Sequence, residues 1–210
     1  MFKILIADDH AVVRRGVRQL LAEEIRNTTF GEAADAQEAL ESVRKQDWDL
    51  LILDVSMPGR SGLDVLKEVK GFRPKLRVLV LSIHPEDQYA IRILKAGAVG
   101  YMTKETPPTE LVKAVRRALA GGLYVSPTLA EKLATNLAVD TGKSPHETLS
   151  NREFEVLRMI ASGRTVTQIA KELSLSVKTV STYRTRVLEK TGMKTSAELT
   201  HYAIFNRLVE

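Results

Sequence analysis

The sequence predicts two folded units: a doubly wound α/β domain on a five-stranded parallel sheet, then a small all-α domain of four helices. Three observations predict it. Over roughly the first 120 residues, short apolar runs of strand length alternate five times with stretches whose apolar residues recur at helical spacing. That alternation calls for one parallel sheet with helices on both faces. From residue 149 onward the chain shows four helical segments and no strand. Finally, the apolar runs end in polar or charged residues, as strands do when they open onto the ligand-binding rim of a doubly wound sheet.

The elements follow in order. Residues 2–7 read as a strand, and Val12, Val13, Val17, Leu20 and Leu21 mark a helix from Ala11 to Leu21. A weaker strand spans Phe30–Ala34. Ala36–Lys45 is helical, with Ala36, Ala39, Leu40 and Val43 on one face. Strand Leu50–Leu53, helix Leu63–Lys70 and the near-continuous apolar strand Arg77–Ser82 come next. Helix Glu86–Lys95 has Pro85 at its start, and Val99–Met102 is a short strand. Helix Pro107–Ala120 is stopped by Gly121-Gly122, which closes the first domain at 1–122. Residues 123–148 read as a linker, with one short helix at 129–137 and the least periodic stretch at Asp140–His146. In the last domain, 149–210, capping boxes are expected at Ser150/Glu153, Thr165/Gln168 and Thr195/Glu198. The longest helix runs from Val177 to Lys190 before Gly192. Leu199, Ala203 and Leu208 are expected in the bundle core, with a contact between two copies of this domain as the alternative.

Composition narrows the class. With 44% apolar and 27% charged residues, neither a disordered nor a membrane chain is favoured. No apolar run approaches the ~20 residues of a spanning helix. No signal peptide is visible, and the absence of cysteine excludes disulfides and thiolate metal sites. Both fit a cytoplasmic protein. Charge is uneven. Residues 1–121 carry 19 basic and 17 acidic side chains, whereas residues 149–210 carry 10 and 6. The excess of four positive charges on the smaller segment suits either a polyanionic partner or an ordinary basic surface, and charge alone does not choose between them.

The chemistry gathers at the strand ends. Asp8-Asp9 follow the first strand, Asp54 the third, Ser82 the fourth and Lys104 the fifth. In a sheet of order 2-1-3-4-5, strands one and three flank the switch-point crevice, so the acids converge. Two like charges about 4 Å apart repel by roughly 4 kcal/mol at an effective dielectric of about 20. The cluster therefore calls for a cation, and oxygen ligands favour Mg²⁺ or another hard ion. Acids, cation, one lysine and one hydroxyl together suit a phosphoryl group. A central carboxylate is then itself a nucleophile, yielding an aspartyl phosphate.

These motifs carry a resemblance. Residues 1–122 resemble a two-component receiver domain through Asp8-Asp9, Asp54 with Met57-Pro58 and Gly62, Ser82, and Gly100-Tyr101-Met102-Thr103-Lys104. Residues 149–207 resemble the LuxR-type helix-turn-helix through Leu149–Glu153, Ile169-Ala170, Ser176–Val180 and Gly192. Together they look like a NarL/FixJ-family response regulator. The resemblance implies that Asp54 accepts phosphate from a sensor histidine kinase or phosphotransfer protein. It implies that Asp9, Asp54 and the main-chain carbonyl of Ser56 ligate Mg²⁺, with Asp8 acting partly through water. Lys104 would bind phosphoryl oxygens, Ser82 would turn toward the phosphate, and Tyr101 would follow. The partners implied are the kinase, double-stranded DNA and a second copy of the chain on DNA, with no membrane.

On the Val177–Lys190 helix, Val180, Tyr183, Val187 and the stem of Arg184 lie on the packing side. Lys178, Ser181, Thr182, Thr185 and, less centrally, Arg186 lie on the other. That second stripe is the candidate DNA face, with hydroxyls and cations on bases and phosphates. The remaining charged and histidine positions read as surface: Arg14, Arg15 and Arg18 as a solvated face, and His10, His84, His146 and His201 as surface residues without metal-ligand spacing.

Two other functions compete. One is a Mg²⁺-dependent phosphohydrolase using Asp54; such enzymes commonly need a general acid two residues on, and here that residue is Ser56. The chain is therefore expected to be no enzyme beyond its own phosphorylation and dephosphorylation. The other is a constitutive DNA-binding protein whose first domain only dimerises; the filled set Asp8, Asp9, Asp54, Ser82 and Lys104 argues against it.

Overall fold

The computed structural model describes residues 1–57, 60–131, 144–206 and 208–209, with backbone alone at 87 and 88. The chain divides into two compact units, Met1–Ala138 and Val139–Glu210.

Strands β1 (Phe2–Ala7), β2 (Thr28–Ala33), β3 (Leu50–Leu53), β4 (Arg77–Ser82) and β5 (Gly100–Thr103) form one sheet in the order β2-β1-β3-β4-β5. Every pairing is parallel, as the sequence predicts. Helices α1 (Ala11–Glu24), α2 (Ala36–Lys45), α3 (Gly62–Phe72) and α4 (Glu86–Lys95) connect the strands, and α5 (Pro108–Leu119) follows the last. Because successive strand residues point to opposite faces, a strand buried on both sides must be apolar throughout. Leu50–Leu53 meets that demand, with all four residues buried. Ile4, Ile6, Ile52 and Leu79 point to one face, where they pack with Leu21 of α1 and Val115 of α5. Leu5, Leu51 and Val80 point to the other, and α2 and α3 bury Leu40, Val43, Leu66 and Val69.

Trp48 lies between α2 and β3. Its indole N–H donates to the carbonyl of Ser42 at 3.2 Å, and its ring lies across edge strand β2. A Cβ at Gly31 would stand 2.3 Å from the indole. Only glycine allows this approach.

Residues 123–131, read from sequence as the start of a linker, pack on this unit. Tyr124 bridges Gly100 as a short parallel extension of the sheet, its amide donating to Val99 O at 2.8 Å. Ser126 Oγ donates to the Glu86 carboxylate at 2.6 Å, and Leu129 is buried. Residues 127–131 are helical; residues 132–137 of the expected short helix, and 140–143 of the expected linker, lie outside the described residues.

The second unit opens with a 3₁₀ turn, Pro145–Thr148, followed by α6 (Asn151–Ala161), α7 (Val166–Glu172), α8 (Val177–Thr191) and α9 (Ser196–Phe205). Val156, Ile160, Ile169, Ala170 and Val180 form its core, and Leu199, Ala203 and Leu208 are buried as expected. His146 is not a free surface residue: its Nδ1 lies 2.8 Å from the Tyr202 hydroxyl and its ring packs near Phe154. Position 146 follows a proline and precedes the first helix, so periodicity carries no sign of this packing.

The capping boxes at Ser150/Glu153 and Thr165/Gln168 are complete. The third is half formed: Thr195 accepts from the Glu198 amide, but the Glu198 carboxylate takes the Lys194 amide instead. Glu153 does more than cap. It is buried, and one carboxylate oxygen accepts from both the Ser150 amide and Lys190 Nζ, each at 2.7 Å. Burial alone would raise this carboxyl; Lys190 and the Ser150 donors outweigh it and hold it below the ordinary carboxylate range. The bond ties the end of α8 to the start of α6.

Candidate functional site

Backbone register places the first site. Ala7 pairs with Leu53, and the Asp54 amide donates to Ala7 O at 2.8 Å. Asp8 and Asp54 therefore leave adjacent strands side by side. On the far side, Ser82 pairs with Thr103, and the Lys104 amide donates to Ser82 O at 2.7 Å. The Lys104 side chain crosses the crevice, and its Nζ lies 2.7 Å from both Asp54 Oδ2 and Asp8 Oδ2. The other Asp54 oxygen accepts the Ser56 amide at 2.9 Å. Gly62 closes the loop beneath: its amide donates to Val55 O, and a Cβ there would stand 2.2 Å from Asp54 O.

The Asp54 side chain is fully enclosed. Burial raises its carboxyl above the ordinary aspartate value, while Lys104 and the Ser56 amide pull the other way. Burial pushes the Lys104 ammonium down, but its bonds to Asp54 and Asp8 prevail and hold it protonated above the ordinary lysine value.

Three acids against one lysine leave an excess of negative charge. Ligand atoms of Asp8, Asp9, Asp54 and His10 all lie within 4.8 Å of one another. Asp9 Oδ1 is buried without a hydrogen-bond donor, although His10 Nδ1 approaches it to 2.9 Å. A crevice of carboxylates with an orphaned oxygen fits a hard cation.

Ser82 is buried, and its Oγ accepts the His84 amide at 3.1 Å. Tyr101 is buried too; its hydroxyl donates to His84 O at 2.8 Å, with the Ser82 hydroxyl as a further neighbour. Burial drives its phenol well above the ordinary tyrosine value. Asp8, Asp9, Asp54, Ser56, Ser82, Tyr101 and Lys104, the first-domain positions singled out in the sequence, thus share one end of the sheet.

Two residues at this end depart from what the sequence suggests. Arg14 is not solvated: its guanidinium donates to Asp8 O at 2.7 Å and to Glu32 at 3.2 Å. His10 is exposed but joins the acidic cluster rather than open surface. The signal available was position: both follow Asp8-Asp9 closely, at or within the first turn of α1, which starts at that rim.

On the second unit, Lys178, Ser181, Thr182, Thr185 and Arg186 all lie on α8, and all five are exposed. Val180 and Val187 are buried, Tyr183 packs on the core, and Arg184 Nε donates to Ser196 Oγ at 2.9 Å. Ser176 caps the helix by accepting the Thr179 amide at 3.0 Å. The hydroxyls of Thr182 and Thr185 donate to Lys178 O and Ser181 O at 3.0 and 3.1 Å.

Residues 4–116 match the response regulator receiver domain, and residues 147–203 match the luxR family of bacterial regulatory proteins. The chain belongs to the NarL/FixJ family of response regulators. It is 36% identical to the response regulator GacA of Pseudomonas aeruginosa over 100% of this chain and 99% of that protein. It is 33% identical to UvrY of Escherichia coli, covering 97% and 94%. Among solved structures it resembles RcsB from Salmonella enterica serovar Typhimurium bound to promoter rprA with phosphomimetic BeF3-. There the TM-score is 0.63 and the identity 32%, over 96% of this chain and 98% of that one. A structure of two RcsB dimers bound to two parallel DNAs matches with a TM-score of 0.60 and 31% identity, over 96% and 97%. This response regulator is accordingly a DNA-binding regulator of the LuxR type. Among its described residues no helix is long and apolar enough to cross a membrane.

Proposed function

We propose that Asp54 accepts a phosphoryl group from a sensor histidine kinase or phosphotransfer protein, and that this controls dimerisation and promoter binding in the cytoplasm. The observation that carries it is one enclosed carboxylate with its two oxygens held separately, by Lys104 Nζ and by the Ser56 amide. An oxygen so fixed can attack phosphorus along one line. Lys104, shared with Asp8, is placed to take a phosphoryl oxygen once the group arrives. Mg²⁺, held by Asp9, Asp54 and the Ser56 carbonyl with Asp8 behind, would supply neutralisation of phosphoryl charge.

Ser82 and Tyr101 are the responding pair. Both are already buried around His84, so a phosphoryl group that takes the Ser82 hydroxyl changes what Tyr101 and His84 meet. The residue two places after Asp54 is Ser56, whose hydroxyl cannot serve as a general acid near neutral pH. That supports a phosphoryl acceptor over a hydrolase with turnover. A domain at 1–122 extended by its packed segment, a linker, and a DNA-binding domain from 149 follow the same reading. Lys178, Ser181, Thr182, Thr185 and Arg186 face the major groove, with symmetric half-sites read by a dimer.

The test is intact mass after incubation with Mg²⁺ and acetyl phosphate. The wild type gains one phosphoryl group and Asp54→Asn gains none. An adduct on both, or DNA affinity that ignores the adduct, would overturn the mechanism.

A further inference from the structure

The outer stripe of α8 looks hydroxyl-rich in sequence, but its threonines have spent their protons. Thr182 and Thr185 each donate to the carbonyl four residues back, at 3.0 and 3.1 Å. On a threonine Cβ the only other heavy branch is the methyl group. Two residues of the stripe therefore offer methyl groups beside their committed hydroxyls. Val177, 48% exposed at the start of the same helix, adds a third apolar contact. An ideal helix sets Lys178 and Thr185 at the centre of the stripe, Ser181 and Thr182 beside them, and Val177 and Arg186 at its edges.

This surface has a specific chemistry. Adenine is commonly read by Asn or Gln and cytosine by Asp or Glu, and the stripe holds none of these. Thymine alone presents a C5-methyl group in the major groove, and it is met by apolar contact, including threonine methyls. Lys178 and Arg186 remain for guanine or phosphate.

We infer that Val177, Thr182 and Thr185 read thymine C5-methyl groups, so that each half-site bound by this protein contains thymines opposite the N-terminal half of α8. The inference rests on the reading that α8 enters the major groove, and it assigns the threonines a role opposite to hydroxyl readout. Val177 becomes a specificity residue although it has no polar atom beyond its backbone.

The experiment starts from a duplex selected by the full chain, treated with acetyl phosphate and Mg²⁺, out of a pool of random double-stranded DNA. The winning duplex is then rebuilt with deoxyuridine for thymidine, one position at a time, which removes only the methyl group. Affinity is read by fluorescence anisotropy at fixed salt. At two or more positions per half-site the loss is about threefold to fivefold, the worth of one buried methyl group. The ratio of affinities for the thymine and uracil duplexes falls toward one in the Thr182→Ser, Thr185→Ser double variant, which keeps hydroxyls and loses methyls. It persists in Thr182→Val, Thr185→Val, which does the reverse. Equal affinity for both duplexes, or discrimination that follows the hydroxyls, overturns the inference. Failure of the underlying reading looks different: Lys178→Ala and Arg186→Ala would leave binding of the selected duplex intact, or no duplex would be enriched. Either result removes α8 from the groove and this inference with it.

Discussion

At the rim of the sheet, Asp8 and Asp54 share one ammonium at 2.7 Å and hardly meet solvent. On α8, Lys178 and Arg186 are exposed and have no ion-pair partner among the described residues. The contrast is what the proposed roles require of each place. A covalent acceptor needs its oxygens fixed before the phosphoryl group arrives, so neighbouring charges hold it. A surface that meets a polyanion needs cations not already neutralised, because its affinity comes from releasing the ions around DNA. Even within the second unit the rule holds. Lys190, one end of α8, is engaged by Glu153 and serves the fold, while Lys178 at the other end stays unpaired.

The hardest blow to the first site, short of Asp54 itself, is loss of Lys104. Lys104→Met should slow labelling by acetyl phosphate by roughly 100-fold, the usual effect of removing one preorganised donor. The carboxyl at Asp54, already raised by burial, would rise further without its ammonium partner. The acid limb of the labelling rate should then move to higher pH, which mass spectrometry across a pH series at constant Mg²⁺ would show. The DNA contacts proposed for Lys178 and Arg186 should be untouched by this variant.

Gly62→Ala probes the scaffold under that site. Its Cβ would meet Asp54 O and the Val55 Cα, both backbone atoms. We expect a loss of about 3 kcal/mol, the upper end for overpacking, confined to the α/β unit in urea unfolding.

Glu153→Gln does the equivalent to the helical unit, at about 2 kcal/mol, since a hydrogen bond to a charged group is weakened in a buried place. The pH dependence has a definite sign. Glu153 is held below its ordinary value in the folded chain. Its contribution is complete above the unfolded carboxyl pKa of about 4.3 and fades as pH falls through the depressed folded value. Wild type and variant should therefore converge in strong acid; a constant gap at all pH values would contradict this account.

The smallest effect belongs to a single cation. Lys178→Ala should weaken binding to unrelated DNA sequences alike and flatten the slope of log K against log salt by about 0.9. Phosphoryl labelling at Asp54 should not change.

Much of the fold and of the acidic site is legible in the order of residues alone. Asp8, Asp9, Asp54, Ser82 and Lys104 stand at strand ends, and parallel order by itself brings strand ends together. Arg14 escapes such reading because its role depends on how α1 lies over β1, which puts a guanidinium on the Asp8 carbonyl; helical periodicity shows only that such a residue faces away from the core. The packing of residues 123–131 escapes because Tyr124 adds to an edge whose pairing partner, Gly100, is chosen by the sheet rather than by neighbours in sequence. The α8 stripe is visible as a run of polar residues, but a sequence cannot show where a hydroxyl proton goes. Thr182 and Thr185 look free to donate in the chain, yet in the fold both hydroxyls donate to carbonyls of their own helix.

Trp48 gives the molecule an optical label of its own. It is the single tryptophan of the chain, seated between α2 and β3 over the edge strand of the α/β unit. Emission excited at the red edge of protein absorption comes from that unit and not from the helices after residue 149. Melting followed by fluorescence therefore tracks the sheet, while the ellipticity change left over tracks the bundle. Full-length protein can report two unfolding transitions from one cuvette, without cutting the chain or adding a dye.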